Sequence, residues 1–327
     1  MTSPPRITAA CVAACIALHT AVLTAGEAPP EKAPPERVVE LLKRASSYLE
    51  EDEPKRKAAK DALVEIGAPA VPYLVSRLDS PDVMERIALF DVLPRIGEPA
   101  VDELHAAFRN PKSLLEHRRV MGLIGTIGSV RSRPLLVEAA HDPDWSIRAA
   151  AATGLGNIAA QDAGARPPLL ALLSDEDWNV RLRAVLALAD AGVGKNIGDV
   201  AARLRDAHFS VRLAAAEILG NEGGRAVAAI ARQLDDARTT RVERLVCLQA
   251  LAQTKHPAAA VYIEPHLIDA DPLVRAYAAE AYGPTAPASG ALLCPALLDE
   301  ETDPTVRRAL SEALDTIKAR AANTGGS

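Results

Sequence analysis

The chain repeats itself, and that constrains its fold more than any other property. One pattern recurs: Asp-Pro-x-Trp-x-Ile/Val-Arg-x-x-Ala-Ala-x-x-Leu-Gly. Aligned on its arginine, it gives Arg56, Arg86, His117, Arg148, Arg181, Arg212, Arg244, Arg275 and Arg307, at intervals of 30 to 33 residues. The clearest copy runs from Asp142 to Gly156 (DPDWSIRAAAATGLG), and others open at Asp175, Asp206, Asp269 and Glu301. A period in that range means that each copy is one supersecondary unit, which buries its apolar face only by stacking on its neighbours.

Each copy holds two helical stretches. The first is typified by Pro69 to Leu78; the second starts after the Asp-Pro turn and ends near a glycine. Asp or Ser ahead of the second stretch caps its free amides, and Pro in its first turn has no donor to lose. Gly67, Gly97, Gly128, Gly156 and Gly220 stand where these helices end, as left-handed caps would. No sustained period-two alternation marks a strand. The predicted fold is all-α: a solenoid of about nine helical hairpins over residues 36–320. Composition agrees. Apolar residues make up 49% but aromatics 3%, so the core is Ala, Leu and Val, which suits closely packed helices.

On a helical wheel, with the arginine at 0°, residues three, four and seven later fall at about −60°, +40° and −20°. In the fourth to sixth copies these are Ala151, Ala152 and Leu155, then Ala184, Val185 and Leu188, then Ala215, Ala216 and Leu219. The arginine is therefore placed in the middle of the apolar face, where a charge must be paired. An acid stands six residues earlier in several copies. Arg148, Arg181, Arg212, Arg275 and Arg307, with Asp142, Asp175, Asp206 and Asp269, read as a structural ladder between repeats, because a catalytic site is not built nine times.

This pattern resembles the HEAT repeat, in its phycobilin-lyase-like subtype, across residues 36–320. The resemblance implies a right-handed superhelix of antiparallel pairs, with the second helices lining its concave surface. It implies little about function, since such proteins include scaffolds, adaptors, chromophore lyase subunits and a metal-dependent hydroxylase. The first three copies depart most: His117 replaces arginine and Pro94 falls late in a helix. Copy seven carries Glu243 where Ile or Val is usual.

The hydroxylases of this type hold iron with His-Glu pairs on several repeats, and no His-Glu dipeptide occurs here. His105 and His117, with Glu116 or Asp102, form the best metal candidate, but packing or surface roles fit them better. There is no phosphate loop, nucleophile elbow or Cys-x-x-Cys. Neither a cofactor nor a metal is expected. Cys247 and Cys294 fall two repeats apart, beyond the reach of a disulfide, and read as small buried hydrophobes.

Two surfaces remain. Trp145, Trp178 and Phe209 occupy one position in three successive repeats and form an aromatic edge, which either staples neighbouring helices or offers a stacking surface. Opposite the apolar face, Arg119, Arg183, Leu186, Val246, Gln249, Tyr277 and Glu280 mix charge with apolar groups, as protein-binding surfaces do. Net charge is −6 and pI about 5.7, which argues against a nucleic-acid partner.

Residues 1–25 have the order of a secretory signal. Arg6 carries the only charge, Ile7 to Ala25 is apolar or small, and a polar Pro-Pro stretch follows. Cleavage after Ala25, lipidation at Cys15 (Val12-Ala13-Ala14-Cys15) and retention as a membrane anchor are the three outcomes, all of which export the rest. Residues 26–35 form a Pro-rich linker, and residues 321–327 a polar, disordered tail. Together these features predict an exported, non-catalytic scaffold that binds a protein or peptide. The alternatives are an enzyme or enzyme subunit of the lyase type with a bound chromophore or metal, and a structural module of an envelope complex.

Overall fold

The computed structural model describes residues 36–49 and 52–324. The leader, its cleavage or lipidation site and the linker lie outside the described residues. Among the described residues there are eighteen α-helices and no strand, in nine pairs. The first three pairs are α1 (Glu36–Ala45) with α2 (Glu53–Ile66), α3 (Val71–Ser76) with α4 (Val83–Ile96), and α5 (Val101–Arg109) with α6 (Leu114–Ile127). Next come α7 (Arg133–Ala139) with α8 (Trp145–Ile158), α9 (Arg166–Ala171) with α10 (Trp178–Asp190), and α11 (Ile197–Ala201) with α12 (Phe209–Asn221). The last are α13 (Val227–Leu234) with α14 (Arg241–Thr254), α15 (Ala260–Ile263) with α16 (Pro272–Thr285), and α17 (Leu293–Glu300) with α18 (Pro304–Thr324). Each pair is one copy of the sequence repeat. From the second pair on, the first helix is short and is led in by a 3-10 turn, such as Ala68–Ala70 or Glu98–Ala100.

Local chemistry sets where the second helices begin. Asp144 accepts from the Ser146 amide, Asp177 from Asn179, and Asp271 from Leu273. Ser113 caps α6 and Thr240 forms a capping box with Glu243 at the start of α14. These side chains satisfy amides that have no partner within the helix.

Not every terminal glycine is a cap. Gly67, Gly97 and Gly128 follow their helices at φ of 65°, 71° and 63° and close them as expected. Gly156 and Gly220 instead lie inside α8 and α12. A Cβ on Gly156 would stand 2.6 Å from Ala187 Cβ, and one on Gly220 2.6 Å from Gln253 Cβ. They are there for close helix approach. Gly125 of α6 and Gly154 of α8 do the same one interface earlier, where a Cβ on Gly154 would reach 2.9 Å from the Gly125 Cα. Asn157 Nδ2 donates to the Gly125 carbonyl at 2.8 Å and fixes that crossing.

Second helices pack on second helices from one repeat to the next, along a single continuous core. The wheel positions hold: Ala151, Ala152, Leu155, Ala184, Val185, Leu188, Ala215, Ala216 and Leu219 are all buried. The residue before the arginine (Ile147, Val180, Val211, Val274 or Val306) is buried as well. The apolar face therefore extends from about −100° to +40°, and the arginine lies within it. In α4 the buried set is Glu85, Ala88, Leu89, Val92 and Leu93, so the register there is turned relative to α8. Phe90, four after Arg86, is exposed in consequence.

The last helix continues through Ala321 and Ala322 to Thr324. Residues 321–324, placed in the tail, are helical instead, because both alanines favour helix. No described helix is long and apolar enough to cross a membrane.

Candidate functional site

The repeated arginine makes a two-sided clamp. Its Nη1 donates to the carbonyl of the residue six before it: Arg148 to Asp142, Arg181 to Asp175, Arg212 to Asp206, and Arg275 to Asp269, at 2.7–2.9 Å. Its other edge crosses to the turn of the next repeat. Arg148 donates Nε and Nη2 to Asp175 at 2.8 and 2.9 Å, and Arg181 to Asp206 at 2.7 Å for both. Arg275 does so to Glu301 at 2.7 and 3.0 Å, and Arg244 reaches Asp269 at 2.9 Å. Each acid in turn accepts from the backbone of its own turn, as Asp175 does from Asp177 and Asp206 from His208. The acid is therefore not the partner of the arginine six residues after it. It serves the arginine of the preceding repeat, and its own repeat's arginine takes the carbonyl.

Burial alone would raise the Asp206 and Asp175 carboxyls. The guanidiniums of Arg181 and Arg148 outweigh it and hold both below the usual carboxylate range. Arg307, in the ninth repeat, donates to the Leu298 and Glu301 carbonyls.

Ser80 and Pro111 stand at the acid position of repeats two and three, and two further rungs are incomplete. Arg238 stands in repeat seven where the acid would be, so Arg212 meets no carboxylate and its Nε is buried without a hydrogen-bond partner. At the third repeat His117 replaces the arginine. Its ring lies on Phe108, with centroids 4.2 Å apart. Asp142 keeps its bond from the Asp144 amide (2.8 Å) but receives no cation. An open cleft of about 290 Å³ lies there, with Phe108, His117, Glu138 and Asp142 among its lining residues. A second cleft, of about 480 Å³, lies between α2 and α4. Its charges pair internally, Lys60 with Asp91 at 2.9 Å and Arg95 with Asp61 at 2.5 Å.

The aromatic row is two different things. Trp178 packs against the core and stacks on His208, with centroids 3.8 Å apart and planes at 13°. Phe209 and Trp145 are exposed. The alignment did not single out His208; its place, four before Arg212 and next to Phe209 of the aromatic row, carried the signal.

On the second-helix face, Arg183, Gln249 and Glu280 are exposed and Leu186 is 37% exposed. Tyr277 is half-buried against the core. Two residues assigned to this face belong elsewhere. Val246 is buried, because α14 turns that position into its neighbours. Arg119 donates to the Leu78 carbonyl at 2.7 Å and lies 3.5 Å from Asp79, tying repeat three to repeat two. His105 bonds Ser132 at 2.8 Å while His117 packs tilted against Phe108, so each histidine of the metal candidate has its own packing partner. Burial raises the Cys247 thiol to about 12 and lifts that of Cys294, and both are free.

The family described as HEAT repeats matches residues 101–173, 132–201 and 166–252. Residues 101–252 of the chain are HEAT repeats. Solved structures similar to this chain include YibA of Escherichia coli, at 17% identity and a TM-score of 0.49, covering 81% of this chain and 97% of that one. An engineered protein has 21% identity and a TM-score of 0.43, with 86% and 88% covered. The complex of CpcE and CpcF of phycocyanin lyase from Nostoc sp. has 20% identity and a TM-score of 0.36, with 75% and 94% covered. No curated protein matches the chain.

Proposed function

We propose that this protein is an exported scaffold that binds a protein or peptide along its second-helix face and performs no chemistry of its own. One contrast supports the reading. The repeat arginines are held by carbonyls and turn acids of their own and adjacent repeats, whereas Arg183, Gln249 and Glu280 make no hydrogen bond or ion pair among the described residues. These free polar groups alternate with Leu186 and with the exposed Leu213, Val242 and Leu273. A surface with apolar anchors among unpaired charges of both signs suits a polypeptide, which supplies both kinds of contact. Export rests on the leader-like segment Ile7–Ala25.

The test is capture of partners from the extracytoplasmic fraction by the wild type and by an Arg183→Glu, Leu186→Ser variant. Both positions are exposed, so the variant keeps its fold. The expected result is a protein retained by the wild type and lost by the variant at equal Tm. Equal retention by both overturns the proposed face.

A further inference from the structure

The ladder shows what its turn acids bind. At four rungs a guanidinium from the preceding repeat reaches that carboxylate, at Asp175, Asp206, Asp269 and Glu301. Asp142 is the same acid in repeat four. It is held in the same pose, with its Oδ1 accepting from the amide two residues on. What differs is the preceding repeat, where His117 is too short to reach and folds onto Phe108 instead. We propose that the cleft between repeats three and four is a receptor for the arginine side chain of a bound polypeptide, which completes the rung that the chain leaves open.

Three features converge on that ligand. Asp142 supplies a planar carboxylate, which a guanidinium meets with two parallel bonds. Glu138 is exposed, lines the same cleft, and its carboxylate makes no hydrogen bond or ion pair among the described residues. Its charge adds to that of Asp142. Phe108 and His117 give an aromatic wall, against which a guanidinium packs and a lysine ammonium packs less well. Arg109 also lines the cleft, exposed and without an ion pair among the described residues. It is the local competitor, and it sets the affinity below that of a preformed rung. The site lies at the turn edge, away from the second-helix face, so it stands or falls independently of that surface.

The test uses the whole protein and three small probes: N-acetylarginine amide, its uncharged citrulline counterpart and free arginine. Binding is read by calorimetry and by chemical shifts of the His117 and Phe108 rings. The expected result is weak, saturable binding of N-acetylarginine amide, no binding of the citrulline probe, and tighter binding after Arg109→Ala. Asp142→Asn keeps an oxygen for the Asp144 amide while removing the charge, and should weaken binding about tenfold or more, the loss of one charge-assisted contact. His117→Arg should abolish binding and raise Tm, because the chain then fills the rung itself. Overturning results are equal binding of the citrulline probe, wild-type affinity in Asp142→Asn, or binding of free arginine without the capped probe, which would mark a site for the amino acid rather than for a polypeptide.

Discussion

Arg148 and Asp175 meet across the boundary between repeats four and five through two N–H···O bonds, with less than a tenth of either side chain exposed. The same Arg148 holds the Asp142 carbonyl. One side chain therefore fixes the shape of its own turn and the distance to the next. Arg181 repeats the arrangement with Asp206.

Removing either arginine strands a buried carboxylate. Arg181→Ala should cost about 3–5 kcal/mol, and Arg148→Ala a similar amount, seen as a fall in the midpoint of denaturant unfolding. Arg307→Ala, in the ninth repeat and exposed, should cost far less. Equal losses at Arg181 and Arg307 would show that the inter-repeat contact contributes nothing.

Acid should loosen the ladder. The hydrogen bonds from Arg275 hold the Glu301 carboxyl at about 2. Asp144 also lies at about 2, where Arg118 and the Ser146 hydroxyl outweigh the effect of burial. A carboxyl lowered in the folded state contributes stability that is complete above its unfolded value, near 4.5 for Glu301 and 3.8 for Asp144. That stability is lost as pH falls towards about 2. Tm followed over this window should drop, and Arg275→Ala should flatten part of the slope. A slope unchanged by that substitution would remove Glu301 from the account.

The incomplete rung at Arg212 is repairable. Arg238→Asp places a carboxylate where repeats five, six and eight have one, facing the unsatisfied Nε of Arg212. Asp236 loses one partner but keeps Arg205 at 2.6 Å. Tm should rise. A fall would mean that the turn of repeat seven does not follow its neighbours.

Two glycines should respond in opposite directions to alanine. Gly154→Ala drives a Cβ to 2.6 Å from Leu136 Cδ2 and 2.9 Å from the Gly125 Cα. Overpacking of this kind costs about 1–3 kcal/mol. Gly198→Ala meets nothing within 4 Å and should stabilise by about 0.4–1 kcal/mol through the unfolded chain. Thermal melts of both decide it.

The sequence alone set the number of hairpins, their boundaries to within a few residues, and the small apolar positions that form the core. These follow from periodicity within one helix and from capping chemistry a few residues away, which are local and therefore written along the chain. It also marked the ladder arginines and their acids. What it left open was which acid meets which arginine. The tertiary structure decided that Asp175 serves Arg148 rather than Arg181, that Arg119 reaches into the previous repeat, and that Val246 is core. It also turned Gly156 and Gly220 from caps into contact points and exposed Phe90 by rotating α4. Each of these depends on how far one repeat is shifted and turned against the next. That geometry comes from the stacking of whole helices, and no single repeat contains it.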